Sequence, residues 1–225
     1  MTQTDREGAH SAQLIEQSLR EVVHQVADPS HNSGGGVVVG ITLAGAAASA
    51  ELVLRLAVKR KSLVSRRDEI ATLLERVTVA RRSFESAADQ DIAAFEHLVA
   101  TQRALKLLPE TEQSTSRERL VTAYVQAADV PLGLARQALE FMRDAERGLE
   151  FATRFIASDI GAAAALARGA IEAALLTVDA NLAYVDDVIA ATRRSEIGTI
   201  RSEATQIAER VLHAVIEIIR SSDRS

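Results

Sequence analysis

The sequence predicts a single, nearly all-α domain, and three observations support that class. Aromatic residues make up only 3% of a chain that is 47% hydrophobic and rich in alanine, and small side chains let helix axes approach closely. Apolar residues recur at the three- and four-residue spacing of helices, and no segment alternates as a strand does. The 225 residues contain no low-complexity linker, so we expect one domain over residues 1–225.

The first predicted helix is followed by a glycine-rich turn. Residues 11–27 predict an amphipathic helix, which Asp28 and Pro29 end. A polar turn from Ser30 to Gly36 comes next. The apolar side of this helix is predicted to consist of Leu14, Ile15, Leu19, Val22, Val23 and Val26.

The next two predicted helices cover residues 37–62 and 66–107. Gly36 and Gly40 are four positions apart, on one face, and predict that two backbones come close together there. The inward face of the longer helix is predicted to hold Ile70, Leu73, Leu74, Val77, Phe84, Phe95 and Leu98.

The second half of the chain predicts three further helices. Thr115 and Glu118 form a capping-box pair at the start of the fourth helix. Pro131 is expected to kink or restart that helix, and Gly148 marks the next break. The last two helices are predicted over residues 160–193, with Asp159 as the cap, and 196–221.

The composition excludes several classes of function. The chain has 26 basic and 31 acidic residues and no basic half, which argues against a nucleic-acid partner. It has no cysteine, and its histidines lack the spacing of metal ligands, so no metal site is predicted. The polar start lacks the apolar core of a signal peptide, so we expect a cytoplasmic protein. The longest apolar stretch, from Val37 to Ala50, is shorter than the about 20 residues of a bilayer span, and we expect a core helix rather than a membrane segment.

Two polar residues lie on helix faces that should be apolar. Asp91 follows Phe84 by seven residues and precedes Phe95 by four, so it projects from the same stripe. A carboxylate there is costly unless it is paired, hydrogen-bonded or in a wet cavity, so a salt bridge and a pocket carboxylate both remain open. Asn181 lies at the edge of an apolar stripe, where its amide can bond either a neighbouring backbone or a ligand.

Other polar residues are weaker candidates. Asp89 points away from the stripe of Asp91, so we expect it in solvent or at a pocket rim. Asp159 is placed to cap a helix or to act as a catalyst, and Ser158 is an alternative cap. His31 lies in the glycine turn and is a candidate to contact a ligand. Glycines let backbone N–H groups approach a ligand or a second helix, and the start of a helix favours anionic groups.

Several short motifs occur in an order that resembles the cyclodeaminase/cyclohydrolase family. That family includes the C-terminal domain of formiminotransferase-cyclodeaminase and stand-alone methenyltetrahydrofolate cyclohydrolases. The resemblance covers about residues 12–215, and it rests on the shared order of the motifs rather than on any one of them. In this chain they read HNSGGGVVVGITLAGAAASA, DQDIAAF, LLPE, VPLGLA and SDIGAAAALARGAIEAALLTVDANL, followed by Asp186.

The resemblance implies an up-and-down bundle of long helices that forms a homodimer, with a folate pocket among the helices and near the dimer interface. It implies a small-molecule substrate, a tetrahydrofolate derivative, that reacts at the one-carbon unit between N5 and N10. A formimino group closes to the methenyl ring with loss of ammonia, or water opens the methenyl ring to the formyl derivative. Both reactions need a carboxylate near a delocalised cation and a group that moves one proton. Neither a metal nor a permanently bound cofactor is implied.

The resemblance also implies roles for individual residues. Asp91 and Asp159 are the candidate catalytic residues. The candidate ligand-binding residues in the matching motifs are Gly34, Gly35, Gly36, Asp89, Ser158 and Asn181, and His31 is added because it lies in the glycine turn.

The chain departs from the family pattern at several positions, and two alternative functions follow. Val37 stands where the family has Ser, Gln90 where it has Glu, Ala57 where it has Thr and Phe155 where it has Asn. The exchanged polar positions suggest a divergent enzyme that closes, opens or hydrates a non-folate substrate, and Val37, Ala57 and Phe155 predict that its pocket is more apolar. The other alternative is a non-catalytic helical dimer, which predicts that Asp91 is fully salt-bridged in a closed core.

Overall fold

The structure, a computed structural model, describes residues 13–31, 34–107 and 113–221. These residues form six α-helices and no strand, which confirms the predicted all-α class. The helices are α1 (Leu19–Ala27), α2 (Gly35–Ala57), α3 (Arg67–Lys106), α4 (Gln113–Gly148), α5 (Ala157–Leu182) and α6 (Asp187–Arg220), with short 3-10 turns at Leu14–Glu16, Lys61–Arg66 and Leu149–Phe151.

The helices α2 to α5 form an up-and-down bundle. Each packs along the next in the chain, and α2 also packs along α5, so the four helices form a closed square. Helix α6 lies outside this square against α5 and α4. The core consists largely of alanine and aliphatic side chains, and Phe84 meets Phe141 edge to face with ring centroids 5.9 Å apart.

Helices α2 and α3 cross closely at Gly40. A Cβ added there would lie 3.0 Å from the backbone nitrogen of Ala88 and 3.4 Å from the carbonyl oxygen of Phe84. This confirms the prediction that small residues at the start of α2 bring two backbones together. One consequence is that the first turn of α2 is fixed against the middle of α3.

The prediction of one helix over residues 11–27 is wrong at its start. A capping box begins α1 at Leu19, because the Ser18 hydroxyl accepts from the Glu21 N–H at 3.3 Å and the Glu21 carboxylate accepts from the Ser18 N–H at 2.9 Å. The Leu14–Glu16 turn therefore forms a separate element. Of the predicted apolar side, Leu14 and Val22 are buried and Val26 is half-buried, whereas Ile15, Leu19 and Val23 are exposed.

The boundary between the last two helices also differs from the prediction. The chain turns at residues 183–186, inside the predicted helix 160–193. This segment contains no glycine or proline, so the local sequence gives no stop signal. Leu182 and Val185 are buried on either side of the turn, and these tertiary contacts set its position.

Three predicted helix ends need smaller corrections. Helix α5 begins with Ile156 as its N-cap, so Asp159 lies in the first turn and does not cap the helix. Helix α2 ends at Ala57 rather than at residue 62. Helix α4 already includes Thr115, whose predicted capping contact with Glu118 involves a side chain outside the described part of the structure.

Helices α2 and α5 are long and apolar enough to match a membrane span, with mean hydropathies of 2.0 and 1.4. The apolar stretch Val37–Ala50 underestimates the length of helix α2, because the helix continues to Ala57. Within the bundle, 61% and 50% of these two apolar windows are buried, as expected for core helices. The remaining faces of these two helices are not covered by other parts of the bundle.

Candidate functional site

The carboxyl group of Asp91 lies directly on Gly36. A Cβ added to Gly36 would overlap the carboxyl carbon and both oxygens of Asp91. Any residue other than glycine at this position would therefore displace the carboxyl group. The close crossing of α2 and α3 at Gly40, one turn further along, is what places Asp91 on the first turn of α2.

Asp91 has no hydrogen-bond or ion-pair partner among the described residues. Its side chain is half-buried, and this burial raises the pKa of the carboxyl above its ordinary value of 3.8. The salt bridge considered from the sequence is therefore not formed. A pocket carboxylate is the interpretation that remains.

The first turn of α2 presents backbone N–H groups beside this carboxyl group. Gly34 is the N-cap, and no side chain in the described part of the chain caps the helix. The first N–H groups of a helix have no partner within the helix, and they form the positive end of its dipole. The dipole favours the ionised form of Asp91 and burial favours the neutral form, a balance that suits a proton-transfer group.

Asp91 faces a cleft of about 220 Å³ between α3 and α4. Wider surface grooves of about 520–630 Å³ occur elsewhere, but they contain no predicted site residue. The cleft is lined from α3 by Ser83, Ala87, Gln90 and Asp91, and from α4 by Asp129, Val130, Pro131, Gly133, Leu134 and Gln137.

A second carboxylate, that of Asp129, lines the same cleft. It accepts two hydrogen bonds from Arg193 of α6, at 2.6 Å to Nε and 2.8 Å to Nη2. The cleft thus contains one carboxylate neutralised by a bidentate arginine and one without a partner. The sequence reasoning missed Asp129, although its position directly before the V-P-L motif was an available signal.

Helix α4 continues through Pro131, and Asn181 of α5 makes up for the missing donor. Proline has no N–H, so the carbonyl of Ala127, four residues earlier, receives no helical hydrogen bond. The Asn181 side-chain amide donates to this carbonyl at 3.3 Å and to the Thr177 carbonyl at 3.0 Å. The amide therefore supports the wall of the cleft. A ligand contact by Asn181 stays a prediction.

Asp89 fixes the N-terminal segment instead of lying in solvent or at a pocket rim. Its Oδ1 accepts from the backbone N–H of Leu14 at 3.2 Å, and its Oδ2 is buried without a partner among the described residues. Leu14 also packs with Val22, Val37 and Ala88 in a small apolar cluster. The N-terminal segment thus covers the α2–α3 crossing next to Asp91.

Gly34, Gly35 and His31, the other described residues at the glycine turn with a predicted role, are exposed. Nothing lies within 4 Å of a Cβ added to Gly34 or Gly35. His31 is exposed and lies 3.3 Å from the carboxylate of Asp28. The ligand-binding roles predicted for these residues stay predictions. In the described part of the chain, no three His, Asp or Glu side chains are grouped closely enough to hold a metal ion.

Ser158 and Asp159 lie at the opposite end of the bundle. Asn181 is 22 residues further along α5, about 33 Å at 1.5 Å per residue. Beside Asp159, Ile160 packs near Gly148 at the far end of α4. Within one chain, therefore, the cleft of Asp91 does not include Ser158 or Asp159, and their predicted roles stay predictions.

Three of the exchanged family positions, Val37, Ala57 and Phe155, do not line the cleft, whereas the fourth, Gln90, does. Val37 and Ala57 are fully buried in packing contacts, each with 0% exposure. Phe155 is 85% exposed at the end of the bundle near Asp159. Within one chain, therefore, Val37, Ala57 and Phe155 do not make this cleft more apolar.

Comparisons with known proteins agree with this architecture. The sequence model of the formiminotransferase-cyclodeaminase family matches residues 18–199. A methenyltetrahydrofolate cyclohydrolase from Methylorubrum extorquens is 26% identical over 200 residues, which cover 88% of this chain and 96% of that protein. The crystal structure of formiminotetrahydrofolate cyclodeaminase from Thermotoga maritima superposes with a TM-score of 0.74 and 25% identity, over 92% of this chain and 97% of that one.

Proposed function

The chain belongs to the formiminotransferase-cyclodeaminase family, and on that premise we propose that it is a one-carbon enzyme acting on a tetrahydrofolate derivative. Asp91 is the residue that handles charge and proton transfer. The observation that carries the proposal is the Asp91 carboxyl, which lies on Gly36, faces a cleft and has no partner among residues 13–31, 34–107 and 113–221. The similarity to a cyclohydrolase and to a cyclodeaminase supports the substrate class.

The two candidate reactions pass through the same kind of intermediate, a tetrahedral carbon bonded to both N5 and N10. In the hydrolytic reaction, water oxygen bonds to the methenyl carbon, a proton leaves the water, and one carbon–nitrogen bond of the ring breaks, with a proton taken up by that nitrogen, to give the formyl derivative. In the deaminating reaction, N10 bonds to the formimino carbon and gives up its proton, and the bond to the departing nitrogen breaks as that nitrogen takes up a proton and leaves as ammonia. The fourth group on the tetrahedral carbon is a hydroxyl in the first case and an amino group in the second, and neither reaction changes the oxidation state of that carbon.

Asp91 serves both reactions through its charge and its raised pKa. The methenyl ring is a delocalised cation, so an ionised carboxylate beside it stabilises the charged ring and the transition state next to it. An ordinary aspartate is a weak base, and burial raises the pKa of Asp91 toward the range in which a carboxylate accepts a proton effectively. Binding of the cationic substrate then favours the ionised form before the proton moves.

The size of the cleft limits how the substrate binds. Its volume of about 220 Å³ is below the roughly 300–1,000 Å³ of most ligand pockets. The cleft therefore holds the reacting end of the molecule, and the rest lies over the neighbouring surface. The free N–H groups of the first turn of α2 are placed to bind an oxygen of the substrate or of the attacking water.

The two alternative functions are less well supported. Of the exchanged positions that suggest a changed substrate, Val37, Ala57 and Phe155 do not line the cleft, and Gln90 alone of these four does. A non-catalytic dimer predicts a salt-bridged Asp91 in a closed core, whereas Asp91 has no partner among the described residues and faces the cleft.

The proposal is tested by offering the purified protein both substrates. With 5,10-methenyltetrahydrofolate, the methenyl absorbance is followed as it falls. With 5-formiminotetrahydrofolate, the rise of that absorbance and the release of ammonia are followed together. We expect acceleration over buffer with at least one of the two, and the faster reaction identifies the activity. Rates equal to buffer with both substrates would overturn the proposal.

A further inference from the structure

A wide groove lies next to the Asp91 cleft, between the same two helices, α3 and α4. Its volume of about 610 Å³ is within the roughly 300–1,000 Å³ of most ligand pockets. Ser83 and Gln137 border both cavities, and the Ser83 hydroxyl donates a hydrogen bond to the Gln137 side chain at 2.7 Å. The groove is named here the Asp144 groove, and the residues of its lining that matter below are Glu75, Arg76, Val79, Glu140, Phe141 and Asp144.

Much of the surface of the Asp144 groove is apolar. Val79 is 61% exposed there, and Phe141, at 1% exposure, lies at the floor with its ring against Phe84. Such a surface is suited to the apolar body of a small molecule, which a few polar groups then orient.

Asp144 is a buried carboxylate in the wall of this groove. Its side chain is only 7% exposed, and its Oδ1 is buried without a hydrogen-bond partner among the described residues. Nη2 of Arg76 lies 2.8 Å from this oxygen, so the two groups form an ion pair whose geometry does not make a hydrogen bond. Because buried carboxylate oxygens normally accept hydrogen bonds, Oδ1 has room for a further donor.

The neighbouring arginines compensate the burial of Asp144 only in part. Burial raises the pKa of this carboxyl above its ordinary value of 3.8, although the charges of Arg76 and Arg147 lower it. The side chain of Arg76 is also 49% exposed, so it reaches Asp144 from the solvent side. A second cationic donor inside the groove would therefore stabilise the ionised carboxylate.

We propose that the Asp144 groove binds an organic cation, in which an amidinium, guanidinium or primary ammonium group is attached to an apolar body. The cationic group donates a hydrogen bond to Oδ1 of Asp144, and such charge-assisted bonds are among the strongest in proteins. The apolar body packs on Val79 and Phe141. Arg76 moves outward into solvent, where half of its side chain already lies.

The charges that line the groove favour a cation over an anion. Glu140 is paired with Arg143, which lies outside the groove. Glu75 is exposed and has no ion-pair partner among the described residues. Glu75 and Asp144 against Arg76 therefore leave an excess of one negative charge, which attracts cations and repels carboxylate ligands.

The Asp144 groove is a second site, separate from the cleft of the proposed reaction. Asp91 and Arg76 are 15 residues apart on α3, or about 22 Å at 1.5 Å per residue. A cation held at Asp144 therefore does not contact the Asp91 carboxyl. The inference does not depend on the proposed folate chemistry.

Three small probes of one shape test the proposed ligand class by isothermal titration calorimetry. Benzamidine joins an amidinium to an apolar ring, benzamide lacks the charge, and benzoate reverses it. We expect benzamidine to bind and the other two to bind about tenfold more weakly or less, because a hydrogen bond to a charged group is lost. No binding of benzamidine, or equal binding of benzamidine and benzamide, would overturn the proposal.

Variants then place the cation within the chain. Asp144→Asn should weaken benzamidine binding by about tenfold or more. Asp91→Asn is the matched control, because it removes the carboxyl group of the adjoining cleft and should leave the affinity unchanged. Loss of binding in Asp91→Asn but not in Asp144→Asn would move the cation to the cleft and overturn the proposal.

Arg76→Gln gives a test that does not need the Asp144 variant to fold. Removing this arginine leaves the buried carboxylate without its ion-pair partner, so benzamidine should bind more tightly than in the wild type and raise the melting temperature by more. Weaker binding to Arg76→Gln would show that the arginine is part of the site rather than a competitor, and would overturn the proposal. These tests need no turnover, so their failure is distinct from failure of the proposed function.

Discussion

The side-chain amide of Asn181 donates a hydrogen bond to the carbonyl of Ala127, at 3.3 Å. This is the carbonyl that Pro131 leaves without a helical donor, and Pro131 lines the cleft that Asp91 faces. The two residues thus connect α5 to the part of α4 that forms the wall of the site.

Asn181→Ala should lower the free energy of unfolding by about 1–2 kcal/mol, because a buried carbonyl loses its donor. In a Pro131→Ala background the new N–H bonds the Ala127 carbonyl, so the same substitution should cost less than half as much. Urea unfolding of the wild type, both single variants and the double variant measures this coupling. Additive effects would mean that Asn181 does not act through the Ala127 carbonyl.

Gly36→Ala should lower kcat/KM by about 100-fold, since the added methyl displaces the Asp91 carboxyl and misplaced reacting groups lose about that much. Gly198→Ala is the control, because it lies within α6 with nothing within 4 Å of the added Cβ. It should keep its activity and gain up to about 1 kcal/mol of stability from helix propensity. Equal activity of the two variants would contradict the contact between Gly36 and Asp91.

Asp91→Asn should raise the melting temperature at pH 7. Burial raises the pKa of Asp91 above 3.8, so the contribution of this group to stability is present below pH 3.8 and is lost as the pH rises through the folded pKa. A neutral amide at this position has no charge to desolvate, so the substitution removes that loss. Each kcal/mol gained in the free energy of unfolding raises the melting temperature by about 2–4 °C in a chain of this size. Melting curves at pH 7, 5 and 3.5 should show the gain shrinking toward acid. A lower melting temperature at pH 7 would indicate a stabilising partner for the carboxylate.

Val37→Ser, which restores the residue typical of the family, should destabilise the protein by about 1–3 kcal/mol without changing its substrate. Val37 is fully buried beside Leu14, Val22 and Ala88, whose apolar side chains offer a hydroxyl no hydrogen-bond partner, and the smaller serine side chain also loses packing contacts. Val79→Ser, at a 61% exposed position, should cost less than about 0.5 kcal/mol. A changed preference between the two folate substrates would instead place position 37 in the site.

The sequence predicted the helical class and the close crossing at Gly40, because each depends on local spacing. The predicted inward stripe of α3 is confirmed at Phe84, which is fully buried, but Asp91 is only half-buried and Phe95 is 46% exposed. It did not predict the turn at residues 183–186, which buried Leu182 and Val185 set without a local stop signal. Asp89 was misjudged because its partner, the N–H of Leu14, is 75 residues away. The spacing of residues along a helix shows which face a side chain lies on, but not how far it lies from a residue on another helix. The wide separation of Asp159 from the cleft is therefore visible only in the folded structure.

If Asp91 carries out the chemistry in the cleft, the turnover of Asp91→Asn must fall sharply. We expect kcat/KM for the faster of the two folate substrates to fall by about 100-fold or more, with a melting temperature at least that of the wild type. Asp68→Asn removes an exposed carboxylate far along the same helix and should keep wild-type turnover. A folded Asp91→Asn protein as active as the wild type would show that Asp91 does not carry out the reaction.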